Sequence, residues 1–182
     1  LLPAATVLTP IATARTMGAD STYTYAGDTV AVSGVVTVSD QFGSIVVFQD
    51  SSAGLAAYST GMSADVEIGD RIIVEGKLYN YRSLLEISPV INYMVVESDV
   101  FVEPKKVSVG DLEDGPSAEA LESMLLRVES VTWADTSDWG GGSSGFNIDI
   151  TRGVDTATVR VDRDTDLYSE ELPYGSINLI GV

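Results

Sequence analysis

Apolar and β-branched residues run along this chain in short blocks, each bounded by turn residues. Asp28 to Val38 (DTVAVSGVVTV) is the first block and carries one internal glycine, Gly34. Ser44 to Asp50 (SIVVFQD) and Gly54 to Tyr58 (GLAAY) follow. Gly69-Asp70 then opens Arg71 to Tyr79 (RIIVEGKLY), again with a single internal glycine, Gly76. Leu84 to Val96 (LLEISPVINYMVV) is the fifth block, and Pro89 inside it must sit at a bulge, a bend or an edge. Blocks of this composition read as strands, and a series of them separated by turns predicts a small closed or nearly closed barrel. A glycine inside a β-branched strand costs stability unless it serves a bulge or a tight corner. Gly34 and Gly76 are therefore expected at the corners that let a long, coiled strand pair on both sides.

The second half repeats the theme. Glu103-Pro104-Lys105-Lys106 reads as a linker, followed by Val107 to Leu112 and a short helical stretch, Ser117 to Ser123. Strands are expected over Leu125 to Trp133, Phe146 to Thr151, Ala157 to Val161 and Ile177 to Val182. Gly181 occupies the place in this unit that Gly76 occupies in the first. The first unit continues from Gly76 to Val96, whereas only Val182 follows Gly181. The expectation is a second barrel lacking its closing hairpin, with unpaired backbone and an apolar groove left open.

A family resemblance rests on the order of several short motifs. Gly27-Asp28-Thr29-Val30, Val32-Ser33-Gly34-Val35-Val36-Thr37, Val47-Phe48-Gln49-Asp50, Ser52-Ala53-Gly54-Leu55 and Gly69-Asp70-Arg71-Ile72-Ile73-Val74-Glu75-Gly76 succeed one another. In this order they resemble the OB-fold modules attached to secreted bacterial nucleases and other exported multidomain surface proteins. Thr9 to Arg15 resembles the lead-in helix that often precedes such modules. The resemblance implies an all-β fold of tandem OB-type Greek-key β-barrels with short helices, the second lacking its closing strands. On this reading residues 1–18 are an N-terminal extension and lead-in helix, 19–102 the first barrel, and 103–182 an incomplete second.

Charge and composition then narrow the chemistry. Ten Lys and Arg stand against 27 Asp and Glu, a net charge of -17. Such a chain repels phosphate backbones at long range, so nucleic acid is an unlikely partner despite the fold. There is no Cys and no His, which removes thiol nucleophiles, the usual neutral-pH base and the commonest zinc ligands. Carboxylate pairs such as Glu67 with Asp70, or Glu170 with Glu171, have no nucleophile or base at a recognisable spacing. No catalytic residue is assigned and the protein is not expected to be an enzyme. No apolar run is long enough to span a bilayer. The first stretch from Leu1 lacks a basic n-region. Few Lys and many Thr, Ser, Gly and Asp fit an exported protein, extracellular or on the cell surface.

Three further features are candidates. Asp162, Asp164 and Asp166 alternate as calcium ligands do, but Leu167 stands where an EF-hand needs glycine and Pro173 where it needs Glu. They fit a solvated turn better than a calcium site, and no other cofactor is implied. Trp139, in the glycine-rich loop Thr136 to Gly145, suits a stacking platform, a lid over the barrel or a subunit contact. Tyr79 and Tyr81 are candidate ligand-stacking aromatics, although the basic groove that usually accompanies them is missing.

The function expected from this pattern is structural: a surface or filament subunit that self-associates head to tail by strand complementation. The uncharged segment Leu1 to Ala14, through Leu2, Val7, Leu8 and Ile11, would donate a strand. The open second barrel, through Ile177, Leu179 and Val182, would accept it. The alternative is an accessory OB-fold module of a secreted nuclease, binding nucleic acid or a glycan.

Overall fold

The block around Gly34 forms one long strand, β1 (Thr29–Phe42), and the first barrel is built on it. The structure is a computed structural model and describes residues 7–113 and 115–182. The chain divides into two units, the first comprising residues up to Glu103 with Glu122–Leu125 and Val182. The second comprises Pro104–Leu121 and Leu126–Gly181.

In the first unit β1 is followed by β2 (Ile45–Gln49), β3 (Gly54–Tyr58), β4 (Arg71–Tyr81) and β5 (Leu84–Glu97). They close into a barrel in the order β1-β2-β3-β5-β4. The β3–β5 pair is parallel and the others are antiparallel. This is the strand order of an OB-type Greek-key barrel, and the all-β expectation holds.

Gly34 falls at a hand-over between partners, and Gly76 at a bulge in a strand that is paired on both sides. Val35 pairs with Arg71 on β4 and also with Gln49 on β2, so Gly34 immediately precedes the hand-over. A Cβ at Gly34 would lie 2.8 Å from a ring carbon of Phe48 and 2.9 Å from the Gln49 carbonyl oxygen. Gly76 sits between two register shifts in the β4–β5 ladder, and a Cβ there would run into Ile87 and the Pro89 carbonyl. Pro89 lies inside the second shift, at the bulge its ring requires.

The barrel interior takes the inward side chains Val32, Val46, Phe48, Leu55, Ile72 and Leu85, all fully buried. The lead-in helix α1 (Ile11–Ala14) adds Ile11 and Ala14 to the same core. Between β3 and β4, α2 (Thr60–Asp65) adds Met62 and is N-capped by the Ser59 hydroxyl, which accepts from the Met62 amide.

The second unit opens with β6 (Lys105–Val107), parallel to the start of β7 (Leu126–Trp133), so the expected linker is in part a strand. A 3-10 turn, Val109–Leu112, carries a capping box between Ser108 and Asp111 and buries Val109. The two units thus begin alike. In the first, the Thr9 amide bonds the Ala31 carbonyl of β1 before α1 plugs the core with Ile11. The expected helix over Ser117 to Ser123 is shorter, a single turn α3 (Pro116–Glu119) with Pro at its start. Then come β8 (Gly145–Arg152), β9 (Asp155–Asp162) and β10 (Ile177–Gly181), in the sheet order β10-β7-β8-β9. Among the described residues no strand joins β9 to β10.

Two glycines give opposite predictions. Gly76→Ala should destabilise the protein by about 1–3 kcal/mol through overpacking at the bulge. Gly61→Ala, inside α2 with nothing within 4 Å of its added Cβ, should stabilise it by about 0.5–1 kcal/mol. Chemical-denaturation midpoints of the two variants measure both effects.

Candidate functional site

Barrels with this strand order use the outer face of strands 2 and 3, with the loops joining strands 1–2 and 4–5, to hold oligonucleotides and oligosaccharides. That face is the natural candidate in each unit.

In the first barrel it is covered. Alternation along β2 and β3 aims Val46, Phe48, Leu55 and Ala57 inward, yet the outward Val47, Gln49 and Ala56 are buried too. The segment Glu122–Leu125 lies against them. A Cβ at Gly54 would collide with the Ser123 carbonyl, so only glycine admits this approach. The Leu125 amide donates to the Gln49 side-chain oxygen at 2.6 Å. Arg15, just after α1, donates to Glu122 Oε1 at 2.7 Å and to the Gly54 carbonyl at 3.4 Å. The same Glu122 oxygen accepts from the Leu85 amide at 3.3 Å. One carboxylate therefore ties the lead-in helix and β5 to the segment that covers the face.

Asp50 fastens the adjoining loop. It accepts from the Ile11 amide at 2.9 Å, the Ser52 amide at 2.7 Å, the Ser52 hydroxyl at 2.6 Å and the Ala53 amide at 3.0 Å. Burial alone would raise its pKa, but these bonds outweigh it and hold the carboxyl below its ordinary value. Glu86, paired with Ala56 across β3–β5, behaves oppositely: it is buried, and burial pushes its carboxyl up.

The tip of the β4–β5 hairpin, by contrast, is exposed. Tyr79 and Tyr81 are about half exposed, with ring centroids 6.4 Å apart, and the Arg82 guanidinium lies over the Tyr81 ring at 5.4 Å. The turn residues Arg82 and Ser83 both have positive φ, 50° and 75°, as a two-residue hairpin turn demands. The structure thus brings the two expected tyrosines together.

In the second unit the corresponding outer face is open and polar. Asn147, Asp149, Thr156, Thr158 and Arg160 point outward while Phe146, Ile148 and Ile150 fill the inside. The Thr158 hydroxyl donates to Asp149 at 2.6 Å, and Arg160 donates to the Ser144 carbonyl at 2.6 Å. Trp139 does not stand free above this face. Its indole N–H donates to the Glu170 carbonyl at 3.0 Å, and its ring packs 5.2 Å from both Trp133 and Phe146. It is an aromatic lid on the end of the sheet.

The other expected positions are placed as follows. Asp162 accepts from the Asp164 amide at 3.1 Å and faces Arg160, while Asp164 pairs with Arg163. Among the described residues no group of three acidic side chains converges as a metal site, and the Asp run is a turn. Leu2 lies outside the described residues. Val7 and Leu8 are exposed, but Ile11 is fully buried in its own barrel, which corrects the expectation that it belongs to a free arm. Ile177 and Leu179 pack half-buried against the second core, and Val182 is exposed. Arg15, Glu122 and Glu86 had no motif to mark them. Gln49 and Asp50 did, as the Gln-Asp ending of strand 2.

No family model matches the chain, and no curated protein matches it. Solved structures resemble it distantly. The hypothetical protein ygiW from E. coli aligns with a TM-score of 0.39 and 16% identity over 50% of this chain and 90% of that one. A putative aspartyl-tRNA synthetase from Leishmania major Friedlin aligns at 0.42 and 15% over 64% of this chain, but only 25% of its own length is covered. The Ifi202 HINa domain, described in complex with 20bp dsDNA, aligns at 0.35 and 12% over 73% of this chain and 74% of its own. The fold assignment rests on the strand order, to which likeness at this level adds no argument.

Glu122→Gln should lower stability by about 1–3 kcal/mol, because it replaces the charge-assisted bond to Arg15 by a weaker neutral one. Urea denaturation at neutral pH measures this. Glu86→Gln should act in the other direction. A carboxyl whose pKa is raised by folding stabilises fully below its unfolded value and loses that contribution as pH rises through the folded value. The variant should therefore be more stable than the parent at neutral pH, and the difference should vanish in acid below the ordinary carboxylate range.

Proposed function

We propose that the chain is a non-catalytic structural module of an exported assembly, one that polymerises by β-strand complementation. The observation that carries this reading is the covered face of the first barrel. Val47, Gln49 and Ala56 are sealed under the chain's own Glu122–Leu125, so the usual ligand surface there is spent on internal packing. The net charge of -17 further disfavours phosphate backbones.

Assembly would use sheet edges. In the second unit the edges of β9 and β10 have no partner among the described residues, and Ile180 on β10 is 57% exposed. A strand added there gains main-chain hydrogen bonds and apolar cover. The donor would be the segment before Thr9, where Val7 is 84% exposed. Ile11 stays in its own barrel and is no part of the donor. A contact of this heterologous kind propagates into a filament.

A second reading, an accessory binding module, is favoured by the open polar face of β8–β9, which suits a glycan better than an anion.

Deleting residues 1–8 keeps Thr9 and Ile11 on the first barrel, so folding should be unchanged. Negative-stain electron microscopy of the intact chain should show regular fibres, which the deletion abolishes. Fibres of unchanged length in the deletion, or none from the intact chain, would sink strand complementation. Single-stranded DNA should show no mobility shift at micromolar protein even at low salt; a salt-sensitive shift would restore the nucleic-acid form of the second reading.

A further inference from the structure

The second half of β5 is an unguarded sheet edge. From Arg71 to Tyr81, β4 pairs with β5 on one side. On the other side β5 meets β3 only at Glu86 and Ile87. Among the described residues, Val90 to Val96 has no second partner. Four of its side chains are nevertheless apolar and accessible: Ile91 is 52% exposed, Met94 39%, Val95 40% and Val96 45%, while Asn92 donates to Glu75 and the Tyr93 hydroxyl to Asp65. Natural edges are usually protected by Lys, Pro, inward charges or a covering segment, and Val90 to Val96 contains no charge and no proline.

The sequence of this edge also says what fits it. Val90-Ile91-Asn92-Tyr93-Met94-Val95-Val96 is nearly palindromic about Tyr93. Laid antiparallel against a copy of itself, Val90 meets Val96, Ile91 meets Val95, Asn92 meets Met94 and Tyr93 meets Tyr93. Paired residues have the same parity, so both faces of the sheet continue across the junction. Charge selects the same orientation. A parallel pair would stack Glu97 on Glu97 and Asp99 on Asp99. The antiparallel pair puts the two Glu97 side chains roughly 27 Å apart, at about 3.4 Å per residue, well beyond the ~8 Å screening length at physiological salt. For so acidic a chain that difference decides the orientation.

We propose that the β5 edge from Val90 to Val96 is a self-association site, which pairs antiparallel with the same strand of a second copy of this chain about a two-fold axis at Tyr93. The contact is isologous and closes at two subunits, so it is independent of the head-to-tail filament. Its seven-residue ladder buries much less than the roughly 1,600 Å² of a standard interface, which places it among weak, reversible contacts, to be sought at about 1–100 µM protein.

Sedimentation velocity of the whole chain across that range should show a reversible monomer–dimer equilibrium. Val95→Lys, at an exposed position, should weaken it at least about tenfold by placing a cation in each ladder. Val154→Lys, at a 97% exposed turn residue of the second unit, should leave it unchanged. The chain has no cysteine, so orientation can be read without background. On mixing Ile91→Cys with Val95→Cys proteins, the antiparallel register gives mixed disulfide dimers in preference to like-with-like ones. A monomer throughout, a dimer indifferent to Val95→Lys, or disulfides only between like variants would overturn the proposal. Fibres that persist in Val95→Lys while the dimer is lost separate this contact from the filament contact.

Discussion

A five-stranded barrel can close only if its long strands serve two neighbours each, and most of what this protein exposes follows from that requirement. Val35 is the shared residue of β1, bonded into ladders with β2 and β4 at once. The strand must coil sharply there, and Gly34 is the residue that lets Phe48 and the Gln49 backbone come close enough. Closure on the far side is made by the first half of β5 alone, through Glu86 and Ile87 beside β3. The bulge around Gly76 and Pro89 then turns the strand, and its second half continues along β4 beyond the point where β3 can follow. The apolar free edge at Val90 to Val96 is a geometric consequence of how the barrel closes.

The covered outer face shows a different physical choice. Val47 and Ala56 on that face are apolar, so covering them is favourable, but the cover brings charges with it. Arg15 is as buried as a core residue, and removing a guanidinium from water is costly unless every donor finds an acceptor. Glu122 and the Gly54 carbonyl are two of these acceptors, and Glu122 also satisfies the Leu85 amide. An ion pair of this kind adds little net stability over an apolar packing of the same shape. The register is marked by Gly54, where a Cβ would collide with the Ser123 carbonyl.

How much of this was legible in the sequence depends on the range of the interaction. Strands, corners and the proline bulge follow from local composition, and β1 to β5 fall where the blocks of β-branched residues put them. The lead-in strand β6 was hidden because Lys105 and Lys106 look like a linker; only pairing with Leu126 and Arg127 makes them a strand. The segment at Glu122 was hidden for the opposite reason. Acidic and small residues from Ser117 suggest helix, but one turn is too short to persist, and tertiary contacts with Gln49 and Gly54 draw the following residues out instead. Trp139 beside three glycines left a platform, a lid and a subunit contact open; the nearby rings of Trp133 and Phe146, with the Glu170 carbonyl 31 residues along the chain, draw its ring in over the sheet.

The cations complete the electrostatic argument beyond net charge. Several of the few that exist are committed internally. Arg15 is held by Glu122 and Arg71 by Glu97, while Lys106 and Arg127 share Glu129. Arg163 pairs with Asp164, and Arg160 is divided between the Ser144 carbonyl and Asp162. A ligand with a phosphate backbone would have to take these groups from partners already in place, against the repulsion of the remaining carboxylates. A strand, by contrast, asks only for unpaired amides and carbonyls, which sheet edges supply without any charge. The acidic surface therefore works against anionic ligands and parallel self-pairing alike, while the uncharged edges carry no such penalty.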